Sequence, residues 1–330
     1  MKKKLVSIIT LLLPFLTLLA QNPTQAGQTG TFKFQDVRWR DMCVLPDPAI
    51  KTYYIVGPGR LGVRAYTSKD LITWTGPQMI YTAPDTVWGK IPVTGIWAPE
   101  MHFYKGKYYL FLTFDTRNKF QEQWRDWLPR VTRGSQVLVS DSPTGPFTPF
   151  QNHSTLPVDM MTLDGTLWVE DGIPYMVFCH EWVQISDGGV EYVQLKDDLS
   201  GTAGEPKRLF RGSQAPWGRI SDTYGCYVTD GPYLHMGKTG KLYMIWTSGG
   251  KEGNAMGIAI SESGKLAGPW IQQEEPVFKA NGGHGMLFNS FDGKLMLILH
   301  SPYNGDTRPH IFEMEDNGET LRIVKEITGN

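Results

Sequence analysis

The chain carries short apolar runs that alternate with Gly, Pro, Asp and Asn, and almost no stretch with helical period. Five runs share one design: a polar opening residue, a strand, a tight turn, then a second strand of large apolar side chains. They are RDMCVLPDPAIKTYYIVG, WAPEMHFYKGKYYLFLTF, LDGTLWVEDGIPYMVFCH, TDGPYLHMGKTGKLYMIW and GGHGMLFNSFDGKLMLILH. Their second strands centre near Tyr54, Tyr109, Tyr175, Tyr243 and Met296, at spacings of 55, 66, 68 and 53 residues. A looser strand pair follows each hairpin, as in AYTSKDLITWTGP and IAISESGKLAGPWIQQ, and RPHIFEMEDNGETLRIV would complete the last unit. Regular repetition of multi-strand units predicts an all-β fold, a five-bladed β-propeller of four-stranded blades. One helix is expected, over residues 118–131 (NKFQEQWRDWLPRV), ended by Pro129.

The first residues stand apart. Lys2, Lys3 and Lys4 precede an apolar run from Leu5 to about Ala20 that is short for a membrane span and contains Pro14. This reads as a signal peptide over residues 1–20, followed by a single propeller domain over 31–330. Export to the periplasm or the medium is therefore expected, without stable membrane insertion. A net charge of −1 over 330 residues gives no footprint for nucleic acid. With no heptad or amphipathic interface, a monomer is the expected state. Cys43, Cys179 and Cys226 are an odd number and lack zinc spacing, so they read as small buried hydrophobes.

In a propeller the innermost strand of every blade runs beside the axis, so equivalent positions face one cavity. Asp41, Glu100, Asp164, Asp230 and His284 open the five hairpins. Aspartate is common at strand openings as a turn-former, but five polar residues at matching places point to a site. Asp47, inside the first hairpin, reads as a turn residue. Trp97, Trp182 and Trp217 are candidate flat walls for a bound ligand, while Trp74 and Trp270 read as blade packing. His180 is a candidate cavity residue, His300 a structural one, and Arg211 or Arg219 a partner for a site carboxylate. Arg130 and Arg133 in RVTRGSQ read as a solvated loop.

These motifs resemble glycoside hydrolase family 43. The likeness runs over about residues 36–315 and is specific at Trp97-Ala98-Pro99-Glu100, at Asp230-Gly231-Pro232-Tyr233-Leu234 and at Gly282-Gly283-His284-Gly285. It implies an inverting, exo-acting glycoside hydrolase. Such an enzyme would release arabinofuranosyl or xylosyl units from plant oligosaccharides or polysaccharides. It implies Asp41 as general base, Asp164 as modulator of the acid, Asp230 as general acid, and His284 as organiser of a hydrated Ca2+ at the axis. Glu100 would bind substrate or support the network. Two departures stand out. Met42 replaces the family's usual Pro, and Asp230 replaces its usual Glu, one methylene longer. Glu181, in Cys179-His180-Glu181-Trp182, is the alternative acid; otherwise it would bind a sugar hydroxyl or pair with an arginine. The departures also leave open a carbohydrate-binding propeller without catalysis, or a glycosidase for another sugar such as galactose.

Overall fold

The computed structural model describes residues 30–124 and 128–327. They form five antiparallel sheets. The innermost strands are Cys43–Asp47, Val93–Tyr104, Thr162–Glu170, Asp230–Met236 and Gly283–Asn289. Each continues outward through three more strands in chain order. The last blade is completed by Arg308–Asp316 and Leu321–Glu326, as its sequence predicts. The first blade has a fifth strand, Gly30–Lys33, on its outer edge against Thr73–Thr82. The signal-peptide reading falls outside the described residues. Among those described, no helix is long and apolar enough to cross a membrane.

Local chemistry sets the hairpins. Lys105-Gly106 and Asp171-Gly172 take positive φ at both turn positions, the geometry that matches the right-handed twist of two paired strands. Second strands lie inside their sheets and between blades, so runs such as Tyr109-Leu110-Phe111-Leu112 are wholly buried. First and last blades meet by packing. Tyr53 stacks on Phe291 at 4.0 Å, and its hydroxyl accepts the Phe291 N–H at 2.7 Å. Cys43, Cys179 and Cys226 are buried free thiols, as expected.

The expected helix over 118–131 does not form among its described residues. Lys119 and Val131 pair as an isolated bridge, and the Gln123 side chain bonds the backbone of Phe120 and Arg130. The helical period of the segment is overridden because its side chains take partners within the loop and on the segment after the third blade's second strand. Trp124 reaches the Val183 carbonyl and Arg130 stacks over Trp124.

Blade packing leaves no room at several glycines. A Cβ at Gly257 would lie 2.1 Å from the Trp217 ring, which itself packs on Trp246 at 4.9 Å. Gly257→Ala is expected to cost about 1–3 kcal/mol by overpacking. A lower denaturation midpoint with unchanged slope would show it.

Candidate active site

Four of the five inner strands carry an extra residue that breaks the register with the second strand. The breaks fall between Trp97 and Glu100, Leu163 and Thr166, Asp230 and Tyr233, and Gly283 and Met286. The left-handed residues at these bulges are Ala98, Asp164, Gly231 and His284. Asp41 takes the same conformation just before the first blade's inner strand. The true structural equivalents are therefore Asp41, Ala98, Asp164, Gly231 and His284. Asp230 sits one residue before its bulge and Glu100 two residues after. For non-glycine residues this backbone costs on the order of 1–3 kcal/mol each, and such strain gathers where side chains must be aimed.

Gly231 meets two demands. A Cβ there would lie 2.9 Å from the His284 ring, and its φ is +50°. The bare backbone lets the Gly231 N–H donate to Asp164 Oδ2 at 3.0 Å. Asp230 is thus projected against the histidine.

The result is a compact charged cluster. His284 Nδ1 lies 3.0 Å from Asp230 Oδ1, 3.5 Å from Asp41 Oδ1 and 3.8 Å from Asp164 Oδ2. Burial disfavours the imidazolium, but Asp164, Asp41 and Asp230 together hold the His284 pKa well above its ordinary value. Burial raises Asp230, but His284, the Asp164 side chain and Arg40 outweigh it and hold Asp230 well below the usual carboxylate range. Burial and then repulsion from Asp230 push Asp164 well up.

Asp41 is steered from both sides. Arg40 Nε donates to Oδ2 at 3.0 Å, and the Asp41 N–H donates to His300 Nδ1 at 3.3 Å. Burial holds His300 down at about 4, so it stays a neutral acceptor. Asp41 Oδ1 is buried and takes no hydrogen bond among the described residues. Tyr303 donates its hydroxyl to Asp230 Oδ2 at 3.2 Å, and Arg40 lies over its ring at 4.4 Å.

Asp41, Asp164, Asp230 and His284 face a cavity of about 690 Å³. Trp97, Glu181 and Trp182 line it as expected, and so does Tyr224, whose ring lies 6.2 Å from that of Trp182. Two expected substrate residues lie elsewhere. Glu100 is turned along the axis toward His102 Nε2, 2.9 Å away. His180 is held behind the cavity wall by Glu191 at 3.2 Å and Gln184 at 2.9 Å. Neither borders the cavity. Trp217 is core, and Asp47 caps its turn by accepting the Ala49 N–H. Arg211 and Arg219 bond backbone carbonyls.

The arginine that matters is Arg133, placed by the sequence in a solvated loop. It is buried, donates through Nε to Asp115 at 2.8 Å and through Nη1 to Glu181, and stacks over Trp97 at 4.2 Å. Tyr303, Tyr224 and Arg133 were missed because each reaches the site from a loop or an outer strand. No repeat position marks them.

The cluster offers a cation one imidazole nitrogen and two carboxylate oxygens from Asp164, Asp230 and His284, all within 4.8 Å. Calcium favours six to eight oxygens. Here the imidazole nitrogen sits among the carboxylates, whose charges favour its protonated, positive form. The residues present do not suit directly bound calcium.

Five blades that bring three carboxylates and a histidine to one cavity define a β-propeller with a charged axial site. The chain belongs to glycosyl hydrolases family 43, whose model matches residues 36–322. An endo-arabinase from Bacteroides thetaiotaomicron is 35% identical with a TM-score of 0.76, over 90% of this chain and 98% of that one. An extracellular exo-α-(1→5)-L-arabinofuranosidase of Streptomyces avermitilis is 26% identical over 69% of this chain and 48% of its own. α-L-Arabinofuranosidase B of Pyricularia oryzae is 24% identical over 72% and 48%. The chain spans about half the length of these last two relatives.

Proposed function

We propose that the protein is an exported, inverting glycoside hydrolase that cleaves α-L-arabinofuranosyl linkages of plant arabinan or its fragments. The observation that carries this reading is Asp41 Oδ1. It is free of hydrogen bonds among the described residues, on a carboxylate that lines the cavity of a family 43 propeller and is fixed by Arg40 and His300. Such a carboxylate can take a proton from a water placed beneath the anomeric carbon. The acid must stand on the far side of the sugar ring, with room for that water. Trp97, Trp182 and Tyr224 supply flat apolar faces for the ring. The arabinan relatives favour arabinose over xylose or galactose as the sugar.

Exo action is part of the proposal. The segment that supplies Arg117, Lys119, Leu128 and Val131 lines one side of the cavity, which limits how far a chain extends past it. Purified protein incubated with linear arabinan is expected to release arabinose from the first time point, as the inverted anomer by NMR. Early oligosaccharides would mean endo cleavage instead. Saturable sugar binding with no release from arabinan, arabinoxylan, xylan or galactan would overturn the enzyme reading in favour of a binding propeller.

Because the imidazolium of His284 supplies the axial positive charge, catalysis is proposed to proceed without calcium. Exhaustive dialysis against a chelator is expected to leave both rate and melting temperature unchanged.

A further inference from the structure

We propose that Glu181, in the third blade, is the general acid of this enzyme, and that Asp230, at the position where the family carries its acid, has become a positioning residue. This rests on the hydrolase reading above.

Asp230 is poorly placed to give a proton. Oδ1 faces His284 Nδ1 and Oδ2 accepts from Tyr303, so both oxygens are already engaged by donors. Arg40 adds a further positive charge nearby. Distance argues the same way. Asp230 Oδ1 and Asp41 Oδ1 are bridged by one nitrogen, at 3.0 and 3.5 Å. Their separation therefore cannot exceed the very bottom of the roughly 6.5–9.5 Å that inversion requires between its two carboxyl groups. Asp164 is engaged too, accepting from the Gly231 N–H at 3.0 Å with His284 Nδ1 3.8 Å away.

Glu181 has what Asp230 lacks. Its backbone N–H is tied to the Met161 carbonyl at 2.8 Å, which fixes the residue at the end of the second strand of its blade. Its side chain is 3% exposed and lines the same cavity as Asp41. Oε1 accepts from Arg133 Nη1, whereas Oε2 is buried with no hydrogen-bond partner among the described residues. Trp97, under the Arg133 guanidinium, and Trp182, the next residue, flank it. Burial pushes the Glu181 carboxyl up, with Arg133 pulling only partly back. Arg133 is shared with Asp115 at 2.8 Å, so its charge is not given to Glu181 alone. In the step assigned here, the Glu181 carboxyl turns into the cavity it lines and donates its proton to the glycosidic oxygen as the C–O bond to the anomeric carbon breaks. A water attacks that carbon from the opposite face and gives its proton to Asp41.

The test compares leaving groups. Wild type, Glu181→Gln and Asp230→Asn would be assayed on arabinotriose and on 2,4-dinitrophenyl arabinofuranosides of one and three units. A departing sugar needs the proton, whereas dinitrophenolate does not. Glu181→Gln is expected to lose about 10²–10⁴-fold on arabinotriose and less than about tenfold on the aryl substrates, with the alkaline limb of its pH profile removed. Asp230→Asn is expected to lose both substrates alike and to keep that limb. The reverse pattern, with the aryl substrates spared only in Asp230→Asn, would overturn the proposal. So would an equal loss on both substrates in Glu181→Gln with an unchanged melting temperature. If wild type cleaves none of the substrates, it is the hydrolase reading that fails.

Discussion

Asp41→Asn is expected to lower kcat on arabino-oligosaccharides by about 10²–10⁴-fold, the usual contribution of a positioned general base. It should do so on aryl substrates too, because the base is needed whatever group leaves. The amide keeps the shape and can still accept from Arg40, so the fold should be preserved. The variant cannot accept a proton from water, however, and the lost oxygen charge also removes one of the three neighbours of His284. KM should change little if the sugar is bound mainly by Trp97, Trp182 and Tyr224. Steady-state kinetics with a melting curve beside them separates the outcomes. A variant retaining more than a tenth of the wild-type rate would remove Asp41 from the role of base.

His284→Leu is expected to be the most destabilising change in the site. The imidazole is buried among Asp41, Asp164 and Asp230, and its loss leaves their charges with no cation between them. Removing one partner of a buried ionic group costs about 3–5 kcal/mol. The pH dependence has a definite sign. The His284 pKa is raised on folding, so its contribution is fully present below the unfolded histidine value of about 6.5 and is lost as pH rises through the folded value. The gap in unfolding free energy between wild type and variant should therefore be widest below about pH 6.5 and narrow as pH rises above it. Denaturant titrations at several pH values measure it. A gap that does not vary would mean that the imidazole is neutral and contributes packing alone.

Much of this architecture was legible along the chain. The five hairpins are visible because burial between blades demands continuous apolar second strands and because tight turns demand residues such as Asp171-Gly172. Both requirements are local. The expected helix over 118–131 failed for the opposite reason. Its helical period was real, but Trp124 and Arg130 found partners at Val183 and Gln184 and in each other.

The site was legible to within a residue or two, and that margin mattered. The five polar openings look equivalent by spacing, yet the bulges place Ala98 and Gly231, rather than Glu100 and Asp230, in line with Asp41, Asp164 and His284. In a strand, a shift of one residue sends a side chain to the other face. Glu100, beyond its bulge, turns to His102, and Asp230, one residue before its own, reaches the axis because Gly231 lets the backbone close on His284.

The sequence by itself determined the strands, their grouping into five blades and the presence of carboxylates at the blade openings, since each follows from residue type and short-range pattern. Tertiary structure decided which oxygens are free and which are engaged. His300 reaches Asp41 across 259 residues, Tyr303 reaches Asp230 across 73, and Arg133 reaches Glu181 across 48. A carboxyl group's proton depends on neighbours within a few ångströms, and closing the propeller is what makes those distant residues neighbours.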